Sequence, residues 1–137
     1  MRCAVIDTNV LVSALLSRNG GAATVKVIHA VLSGKITPLY HQEIIEEYEE
    51  VLARPKFHFN KEDISILISA FKQFGIEVFP QPTGEILIDM DDLIFYEVAM
   101  EKRDDDAKLV TGNLKHYPIK DFIITPAEML EILEKDE

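Results

Sequence analysis

The fold is decided by the stretch Cys3-Ala4-Val5-Ile6-Asp7-Thr8-Asn9-Val10-Leu11-Val12. Four apolar residues run into one aspartate, which predicts a short buried strand at 3–6 with Asp7 just beyond its carboxyl end. In an open α/β sheet, that end is where ligands bind. No lysine or arginine lies between Arg2 and Arg18, so a buried Asp7 needs a metal or a hydrogen-bonded network. The alternative is that Asp7 only caps the helix that follows it.

Length and composition restrict the class of protein. The 137 residues suit one domain with a hydrophobic core, and 47% apolar residues exclude a disordered chain. We therefore expect a single domain over residues 1–137. No apolar run is long enough to cross a bilayer and no N-terminal signal pattern is present, so we expect no membrane segment. Cys3 is the single cysteine, which excludes an internal disulfide and fits a cytoplasmic setting.

The net charge of −10 restricts the partners. A strongly acidic domain is a poor general binder of phosphate backbones, which counts against a structural nucleic-acid binder. It does not exclude a nuclease, because bound divalent cations change the local field. The charge also favours a basic protein partner, although the alternative is simply a soluble surface.

Short apolar runs alternate with longer helical patterns, which is typical of βαβ units and a parallel sheet. Thr125-Pro126-Ala127-Glu128 is a capping box that predicts a last helix. The stretch 86–88 is apolar but too short to distinguish a strand from a loop. The pattern predicts the other strands at 35–39, 76–79, 107–111 and 121–124, and helices at 10–16, 22–32, 42–53, 61–74 and 92–103.

The helix 42–53 carries five glutamates, of which two lie at the edges of its apolar face. These are Glu47 and Glu49, whose stems can pack while their carboxylates reach into a cleft. The other three point away from the apolar face and are predicted to be solvated. Periodicity does not choose between Glu47 and Glu49, and either one can be an ordinary surface charge.

Asp92 opens the helix 92–103, which is apolar on nearly all sides and is therefore predicted to be central. It is in line with Phe95, so it points the way a core residue points, at a helix N-terminus where negative charge is favoured. The alternative is that Asp92 is only an N-cap. Asp89 and Asp91 are better candidates for caps and a solvated loop.

The stretch Leu109-Val110-Thr111-Gly112-Asn113 mirrors the first strand, since an apolar run again ends in small and polar residues. If the first and fourth strands are neighbours at a topological switch point, Asp7 and Asn113 face one crevice. That arrangement follows from the general rule for open α/β sheets.

Four motifs together resemble the PIN domain, a metal-dependent ribonuclease fold that includes the VapC-type toxins of toxin–antitoxin pairs. Their order and spacing cover most of the chain. A further stretch, Arg54-Pro55-Lys56-Phe57, is similar to one in a group of the family's predicted toxins. The four motifs are Val5-Ile6-Asp7-Thr8-Asn9-Val10, Glu46-Glu47-Tyr48 with Val51-Leu52, Asp92 followed by Ala99, and Leu109-Val110-Thr111-Gly112-Asn113 with Leu114-Lys115-His116-Tyr117-Pro118.

The resemblance implies a three-layer α/β/α fold with a central parallel five-stranded sheet in the order 3-2-1-4-5. It also implies a cluster of acids at one end of that sheet. Asp7 and Asp92 are then the main ligands of Mg²⁺ or Mn²⁺, and Glu47 is either a third metal ligand or the residue that orients the attacking water. The family pattern, rather than periodicity, selects Glu47 over Glu49.

Asn113 is the fourth candidate catalytic residue, at a position where many family members have an acid. An asparagine can coordinate through its carbonyl oxygen or hold a water, but it brings no charge. Asp106 is a candidate substitute for that charge, although the run 104–106 is also typical of a solvated turn. The residues expected to support these ligands by hydrogen bonds are Thr8, Asn9 and Thr111.

The activity that the resemblance implies is metal-dependent endoribonuclease cleavage, with RNA as substrate and a cognate antitoxin as partner. A homodimer is left open. Clustered carboxylates suit a hard cation that assists phosphodiester hydrolysis, so no histidine is required as a general base. The histidines at 29, 41, 58 and 116 are scattered and predicted to be structural or exposed. The basic residues that are candidates for steering RNA are Arg54, Lys56, Lys61, Lys102, Arg103 and Lys115.

Three other classes of protein compete with this interpretation. A phosphorylation receiver domain needs a second acid beside the first and an aspartate after strand three, where Phe79-Pro80-Gln81 stands. A haloacid-dehalogenase-type phosphatase needs a second aspartate where Asn9 stands. The third class is a degenerate, non-catalytic PIN domain that binds RNA or protein, which the uncharged Asn113 and the acidic balance keep open.

Overall fold

Five parallel strands and six α-helices make up the computed structural model, which describes residues 2–137. The strands run in the order β3-β2-β1-β4-β5 and the helices flank them, which confirms the predicted three-layer α/β/α fold. The strands are β1 (Arg2–Ile6), β2 (Ile36–Tyr40), β3 (Ile76–Glu77), β4 (Lys108–Val110) and β5 (Ile123–Ile124). The helices are α1 (Thr8–Leu16), α2 (Ala23–Leu32), α3 (Gln42–Leu52), α4 (Lys61–Phe74), α5 (Leu93–Glu101) and α6 (Pro126–Lys135).

Strand β1 lies at the centre of the sheet and pairs in parallel with β2 and β4. Its register places Ile6 opposite Val110, and the backbone N–H of Asp7 donates to the Val110 carbonyl at 2.9 Å. The chain leaves β1 toward β2 and returns on the other side as β4, so the carboxyl ends of β1 and β4 flank the switch point. Asp7 and Thr111 therefore follow neighbouring strands at the same edge.

The core explains why the central elements are apolar throughout. Ala4, Val5 and Ile6 are fully buried, as expected for a parallel strand covered on both faces. Helix α5 packs against β1, β2 and β4, and its Phe95 and Tyr96 are fully buried. The all-round apolar sequence of this helix thus matches its central place. Among residues 2–137, no helix is both long enough and apolar enough to cross a membrane.

Tyr48 anchors α3 to the end of β1. Its side chain is fully buried, and its hydroxyl donates a hydrogen bond to the carbonyl of Ile6. Its ring packs edge-on against Phe71, with centroids 5.7 Å apart, and contacts Phe95. Because Glu47 precedes Tyr48, this anchor places the Glu47 part of α3 at the carboxyl edge of the sheet.

The element bounds differ from the predictions mainly at β3 and around α5. Strand β3 stops at Glu77 instead of residue 79, because it is a short edge strand that runs into Pro80. The stretch 86–88 forms no regular structure. Helix α5 is shorter than 92–103 because single 3₁₀ turns at Met90–Asp92 and Arg103–Asp105 bracket it.

Candidate active site

An open cleft of about 680 Å³ lies at the carboxyl edge of the sheet. It is bordered by the end of β1, the middle of α3, the start of α5 and the loop after β4. Thr8 and Asn9 line it too, whereas Glu49 is exposed outside it. The candidate catalytic residues on its walls are Asp7, Glu47, Asp92 and Asn113.

Asp7 is buried and held through one of its two oxygens. The Oδ2 atom accepts hydrogen bonds from the Thr111 hydroxyl at 2.7 Å, the Tyr117 hydroxyl at 3.1 Å and the Asn9 amide at 3.3 Å. Asp7 occupies the N-cap position of α1, but its side chain makes no capping hydrogen bond. The alternative that Asp7 only caps this helix is therefore wrong. Since these three bonds all fall on Oδ2, Oδ1 is the oxygen that a ligand in the cleft can use.

The charge of Asp7 is satisfied by dipoles and not by a cation. Burial raises the pKa of Asp7, and the hydroxyls of Thr111 and Tyr117 offset part of that rise. Among residues 2–137, no lysine or arginine forms an ion pair with this carboxylate. A carboxylate in this state gains from a positive charge in the cleft.

Thr111 and Asn9 brace the loop after β4 against the start of α1. The fully buried hydroxyl of Thr111 accepts a hydrogen bond from the N–H of Asn113 at 3.0 Å. The Asn9 carbonyl oxygen accepts one from the N–H of Gly112, also at 3.0 Å. Thr8 does not take part in this network. Its buried hydroxyl meets no hydrogen-bond criterion among the described residues, although it lies close enough to Glu47 to lower the pKa of that carboxyl.

Asp92 is the second candidate acid of the cleft, and it is half-buried. Its Oδ2 atom has no hydrogen-bond partner among residues 2–137, although His116 Nδ1 lies 3.4 Å away. Burial raises the pKa of Asp92 to about 6, the charge of Asp7 adds to the rise, and His116 opposes it. Asp92 stands at the N-cap of α5 without a capping hydrogen bond. A buried carboxylate oxygen without a donor, within reach of a second carboxylate, is an arrangement that a hard cation relieves.

Glu47 completes the acidic wall. Burial raises its pKa, the nearby Thr8 hydroxyl lowers it, and the charges of Asp91, Glu50 and Asp7 raise it further. The charge of Asp7 thus acts on both other candidate catalytic acids of the cleft. The sequence motifs that carry these acids are distant along the chain, but the fold places the acids within electrostatic reach of one another.

His116 and Tyr117 belong to the site, although the sequence did not identify them. His116 was predicted to be structural or exposed, yet it lines the cleft, and its Nε2 atom lies 3.0 Å from the amide nitrogen of Asn113. A 3₁₀ turn at Leu114–His116 produces this contact, because residues three apart stack in such a turn. The spacing of three after Asn113 is thus the sequence signal that could have identified His116. The bond from Tyr117 to Asp7 has no local signal in the sequence.

Asp106 lies at the opposite edge of the sheet. Its carboxylate pairs with Arg2 at 2.8 Å and with Lys108 at 3.0 Å. The idea that Asp106 supplies the charge missing at Asn113 is therefore wrong. The run 104–106 forms a turn instead, which Asp106 ends in the left-handed conformation, with φ 61°.

The donor set of the cleft fits an incomplete cation site. Among the described residues, no three His, Cys, Asp or Glu side chains converge closely enough to hold a metal ion by themselves. Asp7, which is buried, and Asp92, which is half-buried, still each offer a carboxylate oxygen that accepts no side-chain hydrogen bond. Mg²⁺ is usually bound in this way, by one or two carboxylates together with waters and substrate phosphates.

The PIN domain family model matches residues 3–115. The chain belongs to the PIN-domain family. The matched part runs from β1 into the turn after β4, so it contains all four candidate catalytic residues. PIN domains are generally nucleases that use divalent metals. This PIN domain is also similar to the uncharacterized protein MJ1680 of Methanocaldococcus jannaschii, with 28% identity over 146 aligned positions that cover 96% of this chain and 91% of that protein.

Proposed function

We propose that this PIN domain, acting as one domain over residues 1–137, is a metal-dependent endoribonuclease. One observation carries the proposal. Asp7, Glu47 and Asp92 line one cleft, and among residues 2–137 no lysine or arginine is paired with any of them. Acids with raised pKa values that lie in a cleft without a lysine or arginine partner are typical of functional sites.

The proposed roles follow from how each side chain is held. Asp7 and Asp92 are the ligands of Mg²⁺ or Mn²⁺, and Thr111 and Tyr117 fix the orientation of Asp7. A divalent cation, when bound, supplies positive charge against that of the phosphodiester and of the leaving oxygen. Glu47 orients the attacking water and can accept its proton, which its raised pKa favours.

The test compares two glutamates of helix α3 that differ in where they point. Glu47→Gln should lower the rate of RNA cleavage in Mn²⁺ about a hundredfold, since general base catalysis contributes roughly 10²–10⁴-fold. Glu49→Gln should leave the rate unchanged, because Glu49 lies outside the cleft. Initial rates on labelled RNA pools and total cellular RNA measure both. Equal rates for the two variants contradict the proposal.

We further propose that the protein is a cytoplasmic toxin of a toxin–antitoxin pair, with RNA as substrate and a cognate antitoxin as partner. The resemblance of its motifs to the VapC-type toxins supports this. Induction of the chain in a bacterial host should then arrest growth, whereas the Asp7→Asn variant should not. Co-expression of a small basic or DNA-binding protein encoded beside it should restore growth. Light scattering of the purified chain tests the possible homodimer.

Asn113 favours a second candidate function, a non-catalytic PIN domain that binds RNA or protein. Its side chain brings no charge and its amide nitrogen faces His116. This candidate predicts that RNA is retained in Mn²⁺ without being cut. It also predicts that wild type and Asp7→Asn leave total cellular RNA equally intact.

A further inference from the structure

The segment Arg54–Phe59 follows helix α3 and reaches the rim of the acidic cleft. It contains a single 3₁₀ turn, Pro55–Phe57, and both Arg54 and Phe57 line the cleft. Among the described residues that line the cleft, Arg54 is the only lysine or arginine, and Phe57 is the only aromatic residue besides His116. This segment therefore places a permanent positive charge and an aromatic ring beside the acids.

The ring of Phe57 is supported from one side. It stacks on Phe59 with centroids 5.3 Å apart and ring planes 11° apart, and Phe59 packs against the hydrophobic core. His58 between them has φ 56°, the left-handed conformation, which turns the chain and brings the two rings together. A non-glycine residue in that conformation is uncommon. The stack thus holds Phe57 in a fixed place at the cleft.

The two cations of the segment are held by weak, exposed contacts. The ammonium of Lys56 lies 5.1 Å from the centre of the Phe57 ring, and Arg54 pairs with Glu50 at 2.9 Å on the surface. Exposed cation–π contacts and exposed ion pairs contribute little. Both cations can therefore exchange these partners for phosphates, and a nucleobase can replace the ammonium over the ring.

We propose that the segment Arg54–Phe59 binds single-stranded RNA. In this proposal Phe57 stacks on an unpaired base, and Arg54 and Lys56 contact the adjacent phosphates. The inference rests on the proposed function and names its substrate class. It explains how a protein of net charge −10 holds a polyanion, since the contact is confined to one rim of the cleft. Duplex RNA keeps its bases stacked inside the helix and cannot use the ring.

The absence of tryptophan from the chain provides a direct test. Phe57→Trp introduces a single fluorophore at the rim, and Phe74→Trp introduces one at an exposed position at the end of α4. Both are made in the Asp7→Asn background with Mg²⁺, and a gel shows that the RNA stays intact. A short single-stranded RNA should quench the Phe57→Trp variant saturably, whereas its duplex and an abasic strand should not. The fluorescence of the Phe74→Trp variant should not respond, and equal quenching of both variants overturns the inference.

Affinity gives a second test that needs no tryptophan. Phe57→Leu keeps an apolar side chain but loses the aromatic face, so single-strand binding by fluorescence anisotropy should weaken about tenfold. Phe57→Tyr and the control Phe74→Leu should bind as the unchanged protein does. Equal binding by Phe57→Leu overturns the inference, as does an equal loss on duplex RNA.

The outcomes separate this inference from the proposed function. If Phe57 is needed for single-strand binding but no RNA is ever cut, the ribonuclease proposal is wrong and the proposed RNA contact of Arg54–Phe59 is supported. If RNA is cut and Phe57→Leu binds it normally, the proposed RNA contact of Arg54–Phe59 is wrong and the ribonuclease proposal is supported. If the protein binds no single-stranded RNA at all, the proposed RNA contact of Arg54–Phe59 is also wrong.

Discussion

The two ends of strand β1 hold their carboxylates in opposite ways. At the amino end, Arg2 bonds to Asp136 at 2.9 Å and to Asp106 at 2.8 Å, and Lys108 contacts Asp106 at 3.0 Å. These cations lower the pKa of both aspartates. At the carboxyl end, Asp7, Glu47 and Asp92 have no lysine or arginine as a partner among the described residues, and burial raises their pKa values.

The difference supports the proposal that Asp7 and Asp92 are held for a ligand, whereas Asp106 and Asp136 serve the fold. The cations at the amino end show that this fold can place an arginine or a lysine beside carboxylates that lie near the end of a buried strand. Leaving Asp7 and Asp92 without such partners costs stability, because charged carboxylates prefer water. Acids kept in that state at a sheet edge where ligands bind are expected to act on a ligand.

The largest expected effect comes from removing one acid at each end. Asp7→Asn should lower RNA cleavage in Mn²⁺ by at least about a hundredfold, because a charged ligand of the cation is lost. Its amide oxygen can still accept the bonds from Thr111 and Tyr117, so circular dichroism should show a folded protein. Asp106→Asn should cut RNA at the unchanged rate, although it loses its pairing with Arg2. Equal losses in the two variants would show that the two edges do not differ in function.

Metal binding should distinguish the two edges by stability. A cation that binds only the folded state at a hundred times its Kd stabilises it by about 2.7 kcal/mol, which raises Tm by roughly 8 °C. Thermal scans with Mg²⁺ or Mn²⁺ against a chelator measure this shift. Asp106→Asn should keep the shift, and Asp7→Asn should lose it. A shift that persists in Asp7→Asn would place the ion outside the cleft.

The pH dependence of the metal-free protein should have opposite signs for the two edges. Asp92 titrates near 6 when folded and near 3.8 when unfolded, so the folded chain binds more protons between these values. Its contribution to the free energy of unfolding therefore falls as pH rises from about 4 to 6, by about 2 kcal/mol after allowance for solvent screening. Asp106 has a lowered pKa, so its contribution is present above pH ~4 and is lost as pH falls below it.

Urea unfolding in a chelator measures both contributions by difference. Asp92→Asn should flatten the loss of stability between pH ~4 and ~6, because the group that releases the proton is gone. Asp106→Asn should change the slope of the pH profile only below pH ~4, where the contribution of Asp106 is lost. If Asp92→Asn follows the same pH profile as the unchanged protein, Asp92 is not the group that titrates there.

Local signals made the helices and strands predictable. Asn60 caps α4 by accepting a bond from the N–H of Glu62, and Thr125 with Glu128 forms the capping box that opens α6. The apolar residues of β1 were sufficient to predict a buried strand. The sheet order 3-2-1-4-5 came from the resemblance to the PIN domain, since periodicity fixes no strand order.

The candidate site residues that lie within the motifs were predictable from the sequence. The contacts that form only in the folded chain were not. Periodicity did not choose between Glu47 and Glu49. The family pattern selected Glu47, and the structure places Glu47 on the wall of the cleft and Glu49 outside it. The bond from Tyr117 to Asp7 joins residues 110 positions apart. Such a contact arises from the neighbouring positions of β1 and β4, so no local pattern announces it.

The substitution Asn113→Asp is the smallest and most specific change at the carboxyl end of the sheet, where Asp7, Glu47 and Asp92 have no lysine or arginine as a partner within residues 2–137. The backbone of Asn113 has φ −136°, so the position does not require asparagine for a left-handed turn. Asn113→Asp adds a carboxylate to a cleft that already holds unpaired acids. If Asn113 contributes to the cation site, Mn²⁺ affinity should rise about tenfold, which is ~1.4 kcal/mol. The metal-free protein should lose roughly 2–4 °C in Tm from added repulsion.

Calorimetric titration of Mn²⁺ into three proteins decides the role of Asn113. Asn113→Ala should bind the ion more weakly than the unchanged protein, since a neutral ligand or its water is lost, and Asn113→Asp should bind it more tightly. The control is Asn19→Asp, which adds the same charge at an exposed loop position outside the cleft and keeps the oxygen that accepts from Gly21. A rise in affinity that Asn19→Asp reproduces would be a general charge effect. Equal affinities for the two Asn113 variants and the unchanged protein would remove Asn113 from the site, and its amide would then serve only to hold His116 beside Asp92.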